Sequence, residues 1–398
     1  MIPKIDSEIG ILVHTTQFPG CGGKIRTRLE DFTVNEILNP KTLMSLGGNQ
    51  GYAVYRLKKS GIDTNHALDA VEKKSGARFK AFGLKDAHAI TTQYVCSVAL
   101  NKTAANFSDG KISLERIGFA KKPLSAKDMI GNQFVIRIEG ANQSISDFKE
   151  SERILNYYGY QRFGSKRPVT HLVGKAIIQK RFADAIQLIL SFTSEYDSME
   201  NTKIRQELAS QSNYEKMLEL IPTPMDLERI VLSEMIQHGD PHKALYKLPL
   251  GIRRLYVEAY QSYLFNLTVS MAYQYGEQLF DCQQGDVCFD KNAKLGKYQG
   301  DDSQQLAIPL VGYSYFKKTR FDFHISKILE QEQIKPSEFY IKEMQEASSE
   351  GGFRSAAIKC TDFSIQSDVV SFSLQRGSFA TMVMREIMKP ADPLEAGF

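Results

Sequence analysis

The chain has 398 residues, of which 42% are hydrophobic, enough for more than one packed core. Lysine and arginine total 50 against 46 for aspartate and glutamate, so the net charge of +4 would favour a polyanionic partner only through a local basic face. Five scattered cysteines argue against a disulfide framework, and apolar runs such as AIQLILSF are far shorter than the roughly 20 residues of a membrane span. We therefore expect a cytoplasmic protein of two domains with no membrane association.

The first third of the chain has the patterns of a β-sheet. Apolar residues alternate in short runs bounded by turn residues, as they do in half-buried strands. Asp63 or Thr64 can cap a helix that ends before Gly76. GLKDAHA, residues 83–89, is expected to be a loop between strands. Strands are predicted at residues 32–37, 51–59, 78–82 and 91–100.

The periodicity changes near residue 170, where apolar residues begin to recur at three- and four-residue spacing. Helices are predicted at residues 171–192, 201–221 and 251–273. Polar residues at about 285–303 indicate surface loops. Beyond about residue 347, alternation predicts strands at 355–360 and 368–375, followed by a helix at 377–388. The order of these patterns favours an α/β domain interrupted by a helical insertion.

An adjacent lysine and aspartate, Lys85 and Asp86, lie in the predicted loop at 83–89. A loop between strands presents a side chain at the edge of a sheet, where Asp86 can act as a nucleophile or a general base. Both residue types are also common in turns without any chemical role. Thr91, Thr92 and Gln93 follow and offer polar groups to a buried carboxylate, and the ammonium of Lys85 would favour its ionised form.

Aromatic and basic residues are interleaved in NYYGYQRFGSKRP, residues 156–168. Aromatic rings stack on splayed RNA bases, and cations bind phosphates. A core segment with a solvated basic edge has the same composition. The candidates for RNA contact are Tyr158, Arg162, Lys166 and Arg167.

RGSFAT, residues 376–381, places Gly377 and Ser378 immediately before an apolar helix. Free backbone N–H groups at such a position can bind an anion or a substrate carbonyl. Alternatively, Ser378 simply caps the helix.

The histidines show no spacing typical of a metal site. Gly239 and Pro241 interrupt the segment between His238 and His242, so a zinc-binding helix is not expected there. No phosphate-binding or dinucleotide-binding glycine motif is present. We predict neither a metal nor a nucleotide cofactor.

Six segments, in order along the chain, resemble the TruD group of pseudouridine synthases, to which related eukaryotic enzymes also belong. They are EDFTVNE at 30–36, GLKDAHAITTQ at 83–93, GNQF at 131–134, NYYGYQRFG at 156–164, EAYQSYLFN at 258–266 and GSFATMVMRE at 377–386. Each segment alone is a weak signal, but the ordered set is specific.

The resemblance implies that Asp86 is the catalytic aspartate. Arg26 stands where the family often has a basic residue, so Arg26 or Lys85 is expected to keep Asp86 ionised. The residues implied to contact the target nucleotide are Phe32, Asn132 and Phe379.

The resemblance also implies an α/β (α+β) fold. Its catalytic domain, residues 1–156 and 351–398, would have a mixed, largely antiparallel sheet, and a helix-rich TRUD insertion domain at 157–350 would dock RNA. The implied reaction isomerises a uridine in tRNA, usually uridine 13, to pseudouridine without a cofactor. The role of Asp86 stays open among attack on the sugar, attack on the base and proton abstraction. The alternative is a non-catalytic RNA-binding protein or tRNA chaperone.

Overall fold

The computed structural model describes residues 1–85, 87–211, 213–223 and 225–398. The helices are α1 Lys4–Glu8, α2 Pro40–Ser45, α3 Thr64–Ser75, α4 Thr170–Ile178, α5 Phe182–Ser191, α6 Met199–Ser210, α7 Tyr214–Leu220, α8 Asp226–His238, α9 Pro241–Lys247, α10 Leu250–Gln274, α11 Asp322–Glu332 and α12 Ala380–Met388. The strands are β1 Phe32–Leu38, β2 Tyr52–Ser60, β3 Phe79–Ala81, β4 Ile90–Ser97, β5 Phe107–Ser108, β6 Ile112–Ala120, β7 Met129–Arg137, β8 Val287–Phe289, β9 Leu295–Lys297, β10 Gln305–Leu310, β11 Gly352–Ser355, β12 Cys360–Gln366 and β13 Val369–Gln375. Short 3-10 helices occupy Leu29–Asp31, Ala126–Asp128, Tyr160–Phe163, Pro336–Phe339 and Lys342–Ala347.

The large sheet has nine strands within the described ranges, in the order β12-β13-β7-β1-β4-β2-β6-β5, with β3 also paired to β4. Strands β1 and β4 run parallel, whereas the other described pairs in this sheet are antiparallel. The prediction of an α/β fold with a mixed, largely antiparallel sheet is therefore confirmed.

Strands β1 and β3 pair with different parts of the same edge of β4, so a gap lies between them in the middle of the large sheet. Strand β1 pairs with the first part of β4, where Asn35 is opposite Thr92. Strand β3 pairs with the last part of β4, where Ala81 is opposite Val95. Gln93 of β4 lies in this gap. The segment that follows β3 therefore begins there, beside the end of β1.

The small sheet, formed in the described residues by the strand order β11-β10-β8-β9, lies beside a layer of helices. Strand β10 contacts the long helix α10, which also packs along α4. A side chain at Gly174 of α4 would collide with the carbonyl group of Tyr256 in α10, so glycine permits this close approach. Strand β11 follows residue 350 yet pairs with β10 of the small sheet. The division into domains at 157–350 stays a prediction.

Buried residues of the helices and of one face of the large sheet form the main core. It includes Phe134 and Phe372, which face each other across β7 and β13 with ring centroids 5.5 Å apart. A second core lies between α3 and the strands β2, β4 and β6. Among the helices of the described residues, none has both the length and the apolar character that a membrane span requires.

Local sequence signals give several elements correctly. Asp63 caps α3 by accepting hydrogen bonds from the N–H groups of Asn65 and His66, and Gly76 ends the helix with φ of 66°.

Other sequence-based predictions are wrong in detail. The run at 171–192 is two helices, α4 and α5, because the chain reverses at Lys180, which has φ of 58°. The predicted strand at 355–360 is not a strand: it joins the last residue of β11 to the first of β12. The predicted loops at 285–303 contain β8 and β9. Ser378 does not cap the last helix: the cap residue is Phe379, which makes no side-chain capping bond.

Candidate active site

Residues 83–85 lead directly to Asp86, which itself lies outside the described residues. Buried side chains from the surrounding elements hold the backbone of this segment. Lys85 donates its backbone N–H to Oγ1 of Thr64 at 2.9 Å, and its carbonyl oxygen accepts from Nζ of Lys59 at 3.1 Å. The carbonyl oxygen of Gly83 accepts from Nε2 of Gln93 at 3.4 Å.

The three anchoring side chains are themselves fully buried. Lys59 and Thr64 are each 1% exposed, and Gln93 is fully inaccessible. Thr64 Oγ1 also donates to Oε1 of Gln93 at 3.0 Å, which joins α3 to β4. Such a connected network of buried hydrogen bonds fixes the segment that precedes Asp86.

The side chain of Lys85 points to β1 rather than to solvent. Its Nζ lies 3.2 Å from Oε1 of Glu36, and the two side chains are 12% and 3% exposed. Oε2 of Glu36 accepts a hydrogen bond from the backbone N–H of Tyr94 at 2.9 Å. Glu36 therefore ties the ends of β1 and β3 to β4 across the gap in the sheet.

Asn132 stands directly opposite Glu36 on the neighbouring strand β7. Directly opposite residues of antiparallel strands share a face of the sheet, so Asn132 and Glu36 lie side by side. Oδ1 of Asn132 is buried and has no hydrogen-bond partner among the described residues. A buried carbonyl oxygen without a partner is costly, and a ligand N–H is the kind of group that would satisfy it.

Of the residues that follow in β4, only Gln93 has a described hydrogen bond to the loop. Oγ1 of Thr91 is buried and lacks a partner within the described part of the chain. Thr92 is half-buried. The contribution of these two threonines to a buried carboxylate stays a prediction.

Phe32 lies at the start of β1, on the same face as Glu36 but about 13 Å away by the rise of a strand. Its ring is 3% exposed and packs edge to face against Phe134 at 6.3 Å. The guanidinium of Arg26 covers the ring at 4.1 Å from its centroid, and Nη1 of Arg26 donates to the carbonyl oxygen of Gly397 at 3.3 Å. The structure thus brings Arg26 and Phe32 together as a stacked pair.

Tyr158 and Phe379, which were predicted separately as contact residues, lie together in the fold, with ring centroids 6.1 Å apart. A Cβ atom at Gly159 would lie in ordinary contact with the Phe379 ring at 3.6 Å, but only 3.1 Å from Oγ1 of Thr381, which would have to shift slightly. The backbone of Tyr158 is held by Asn266 of α10, whose amide accepts from its N–H and donates to its carbonyl oxygen. Phe379 follows β13, five residues after the partner of Asn132 in that strand.

Arg354 of β11 connects these aromatic residues. Its guanidinium lies 4.0 Å from the centroid of Tyr158 and 5.8 Å from that of Phe379. It also donates to both oxygen atoms of Asn156 and to the carbonyl oxygen of Gly377, at 2.7 to 2.9 Å. Burial lowers the pKa of Arg354. The side chain therefore locks the turn before α12 onto the segment that carries Tyr158.

The remaining residues of NYYGYQRFGSKRP divide between surface and core. Arg162 is half-buried and pairs with Glu258 at 3.0 Å, while Lys166 is exposed. The rings of Tyr157, Tyr160 and Phe163 are buried in the core. The aromatic residues of this segment therefore mostly pack in the core, as the alternative of a core segment with a basic edge predicts.

Arg167 is held inside the helical layer. Its guanidinium donates to the carbonyl oxygens of Leu188, Ile189 and Phe192 at the end of α5 and lies 3.5 Å from Glu228. Burial, together with the nearby charge of Arg205, lowers the pKa of Arg167 to about 10. These contacts give Arg167 a structural role, and its contact with RNA stays a prediction that the geometry does not favour.

Three residues around the site are not among the predicted site residues. Lys59 and Glu36 lie in strands at positions where alternation points to the buried face, which is a readable signal for an inward-facing charge. Arg354 has no local signal, because its partner Asn156 is 198 residues away in the chain. Within the described residues, histidine, cysteine, aspartate and glutamate form no group of three or more that could hold a metal ion.

Comparison with known proteins identifies the family. The family model for tRNA pseudouridine synthase D (TruD) matches residues 8–387. The chain is 31% identical to a protein of Pyrobaculum islandicum named "Probable tRNA pseudouridine synthase D", covering 100% of this chain and 99% of that one. It is 30% identical to a protein of the same name from Methanosarcina acetivorans, covering 99% and 98%.

The fold agrees with a solved structure as well. The chain superimposes with a TM-score of 0.82 on a crystal structure from Methanosarcina mazei whose protein is described as "Putative tRNA pseudouridine synthase D (TruD)", with 27% identity and 99% of each chain covered. The fold and the family model define an RNA-modifying isomerase. The chain belongs to the TruD family of pseudouridine synthases.

Proposed function

We propose that this protein isomerises uridine 13 of tRNA to pseudouridine, with Asp86 as the catalytic carboxylate. The observation that carries the proposal is the buried network of Lys59, Thr64 and Gln93 around residues 83–85. A catalytic group must be held in a fixed geometry to be effective, and this network orders the backbone immediately before Asp86. The names of the relatives support tRNA as the substrate.

The reaction imposes clear demands on the site. The N1–C1′ bond of uridine breaks, the uracil rotates, and C5 joins C1′ while a proton leaves C5 and N1 gains one. The atoms balance without an external reagent. A detached base must be kept from water, so a closed pocket matters more than a strong acid or base. The ionised carboxylate of Asp86 promotes cleavage of the N1–C1′ bond by attacking the sugar or the base, or by removing a proton.

The residues around the gap in the large sheet suit a flipped uridine. Uracil presents an N–H donor between two carbonyl acceptors, which complements the oxygen and the NH2 group of an amide. Asn132 supplies such an amide, with its buried oxygen unpaired among the described residues. Phe379 supplies a ring for the extruded base. Phe32 stays a predicted contact that the geometry does not favour, because its ring is buried and covered by Arg26.

We further propose that residues 157–350 dock the tRNA body, with residues 1–156 and 351–398 forming the catalytic unit. Tyr158, Arg162 and Lys166 lie at the border of the two parts and offer a ring and two cations to RNA. The predicted cytoplasmic location and the predicted lack of metal or cofactor stay expectations.

The test is to map the product. A tRNA transcript is incubated with the protein, treated with a carbodiimide that marks pseudouridine, and read by primer extension, with a transcript carrying cytidine at position 13 as the matched control. A stop at position 13 that the control lacks supports the proposal. A stop elsewhere refutes the position, and tRNA binding without any stop favours the non-catalytic RNA-binding alternative.

A further inference from the structure

Arg354 of β11 joins segments of the chain that are distant in sequence, next to the candidate site. Its Nε and Nη2 donate to the backbone and side-chain oxygens of Asn156 at 2.9 and 2.8 Å, and Nη2 also donates to the carbonyl oxygen of Gly377 at 2.7 Å. The same guanidinium lies 4.0 Å from the centroid of the Tyr158 ring. Several hydrogen bonds and a ring contact can be made together by a flat group with a fork of N–H donors, which lysine lacks.

The ring of Phe379 rests on the segment that carries Tyr158. The two ring centroids are 6.1 Å apart, and a Cβ atom at Gly159 would lie 3.6 Å from carbon atoms of the Phe379 ring. The Phe379 side chain is half-buried, so part of it remains free to contact a ligand. The position of this ring therefore depends on how the turn at residues 376–379 is held against the segment of Tyr158.

The turn at 376–379, between β13 and α12, is held by contacts from outside itself. Gly377 is exposed and has φ of 84°, a conformation that glycine adopts without strain. Side chains make two described hydrogen bonds that fix this turn. Arg376 donates to the carbonyl oxygen of Ala126 at the exposed surface, and Arg354 donates to the carbonyl oxygen of Gly377. Because glycine leaves the backbone free to move, loss of the second bond should let the turn shift.

We propose that Arg354 is a positioning residue for the reaction, which fixes the Phe379 ring against the target base by tying the turn before α12 to the segment that carries Tyr158. The inference rests on the proposed function, in which Phe379 contacts the extruded base. Arg354 pairs with Ile308 of β10 in the small sheet, so this side chain also connects the ring to the part of the chain that is proposed to dock tRNA. Misplacement of a positioning group by about 1 Å can lower a rate roughly 100-fold.

The experiment is a double-mutant cycle of Arg354→Met and Phe379→Ala. Methionine keeps an unbranched apolar chain beside Tyr158 but removes every donor. Arg354→Lys keeps the charge but lacks the planar fork, and it takes the place of Arg354→Met in the cycle if that variant does not fold. Single-turnover tritium release from tRNA labelled at C5 of uridine, tRNA affinity and urea denaturation are measured for each variant.

Arg253 supplies the matched control. It is buried, its guanidinium lies 4.4 Å from the centroid of the Tyr246 ring, and its Nε donates to the carbonyl oxygen of Leu248 at 3.0 Å. Arg253→Met therefore shows what the loss of a buried arginine beside an aromatic ring does to stability alone. All rates are measured under conditions in which urea titration shows each variant to be folded.

We expect Arg354→Met and Arg354→Lys to lower the single-turnover rate about tenfold or more, with tRNA affinity within about threefold of the wild type. Adding Arg354→Met to Phe379→Ala should lower the rate by less than about twofold further, because a residue that acts through a ring has no effect once the ring is absent. Arg253→Met should lower stability and change the rate by less than about twofold. A wild-type rate in either variant of Arg354, or losses that multiply in the double variant, overturns the inference.

Asp86→Asn, measured in the same series, separates the two levels of the proposal. If Asp86→Asn reacts like the wild type, the proposed site is wrong. If Asp86→Asn is inactive and Phe379→Ala or Arg354→Met reacts like the wild type, only the role of Arg354 fails and the proposed function stands.

Discussion

Nζ of Lys85 lies 3.2 Å from Oε1 of Glu36 in an ion pair whose two side chains are 12% and 3% exposed. The second carboxylate oxygen of Glu36 accepts from the backbone N–H of Tyr94. A carboxylate that joins two strands and a loop in this way fixes the segment before Asp86 against the sheet. The pair thus connects the stability of the fold to the geometry of the site.

Replacing Glu36 with glutamine is expected to lower both stability and activity. Glutamine keeps an acceptor for Tyr94 but leaves the Lys85 ammonium without its counter-charge, at a cost of about 2 to 3 kcal/mol in the free energy of unfolding. Urea denaturation followed by circular dichroism measures this loss. Glu115→Gln is the matched control, because Glu115 pairs with Arg56 on the solvated surface. Equal effects in the two variants would show that the buried pair does not stabilise the fold.

Asn132→Ala should separate activity from stability. The alanine removes a buried oxygen that has no partner among the described residues, so the free energy of unfolding should change by less than about 1 kcal/mol. The loss of an amide that binds uracil should lower kcat/KM by roughly 10- to 150-fold. Asn35→Ala is the control, because Asn35 bonds to Gln133 at the exposed surface. A wild-type kcat/KM in Asn132→Ala would remove Asn132 from the site.

Lys166→Ala and Arg167→Ala should affect different properties, tRNA binding and stability respectively, although the residues are neighbours in the chain. Lys166 is exposed, so its loss should weaken tRNA binding and reduce the slope of log affinity against log salt by about 0.9 if it binds a phosphate. Arg167 holds three carbonyl oxygens and Glu228, so its loss should cost about 3 to 5 kcal/mol of stability. Filter binding at several salt concentrations measures tRNA affinity, and urea denaturation measures stability. If Arg167→Ala keeps wild-type stability and binds tRNA more weakly, the predicted contact of Arg167 with RNA would be supported instead.

His171 should make the stability of the protein depend on pH. Burial lowers the pKa of His171 to about 3, and the ring stacks on Tyr263. Between that value and the unfolded pKa of about 6.5, the unfolded chain binds a proton that the folded chain does not, so stability falls as the pH decreases. From pH 7 to pH 5 this residue should account for about 2 kcal/mol.

His171→Gln should lose that part of the pH dependence, whereas His238→Gln should retain it, because His238 is exposed. Denaturation curves at pH 5 and pH 7 measure the difference. The same pH dependence in His171→Gln and the wild type would contradict the assignment.

The sequence predicts those parts of the fold that depend on neighbouring residues. The alternation around Phe32 gives β1, and Asp63 and Gly76 give both ends of α3. Periodicity predicts one continuous helix at 171–192, because it does not reveal the left-handed conformation of Lys180 that separates α4 from α5. The fold class follows from the order of these elements.

Much of the site depends on contacts that no local pattern contains. Arg354 reaches Tyr158 from a distant strand, and Glu36 faces Asn132 only through the register of β1 and β7. Strand alternation does place Lys59 and Glu36 inward, but their connection to residue 85 needs the folded chain. The burial of Arg167 likewise requires the end of α5, which composition does not indicate.

The most direct test of the account is the release of tritium from tRNA labelled at C5 of uridine by the wild type, Asp86→Asn and Asp86→Ala, with tRNA affinity measured in parallel. We expect release by the wild type, none above background by either variant, and affinities that differ by less than about threefold, since the side chain of one residue is a small part of an RNA interface. Release by Asp86→Asn at the wild-type rate would contradict the assignment of Asp86 as the catalytic carboxylate.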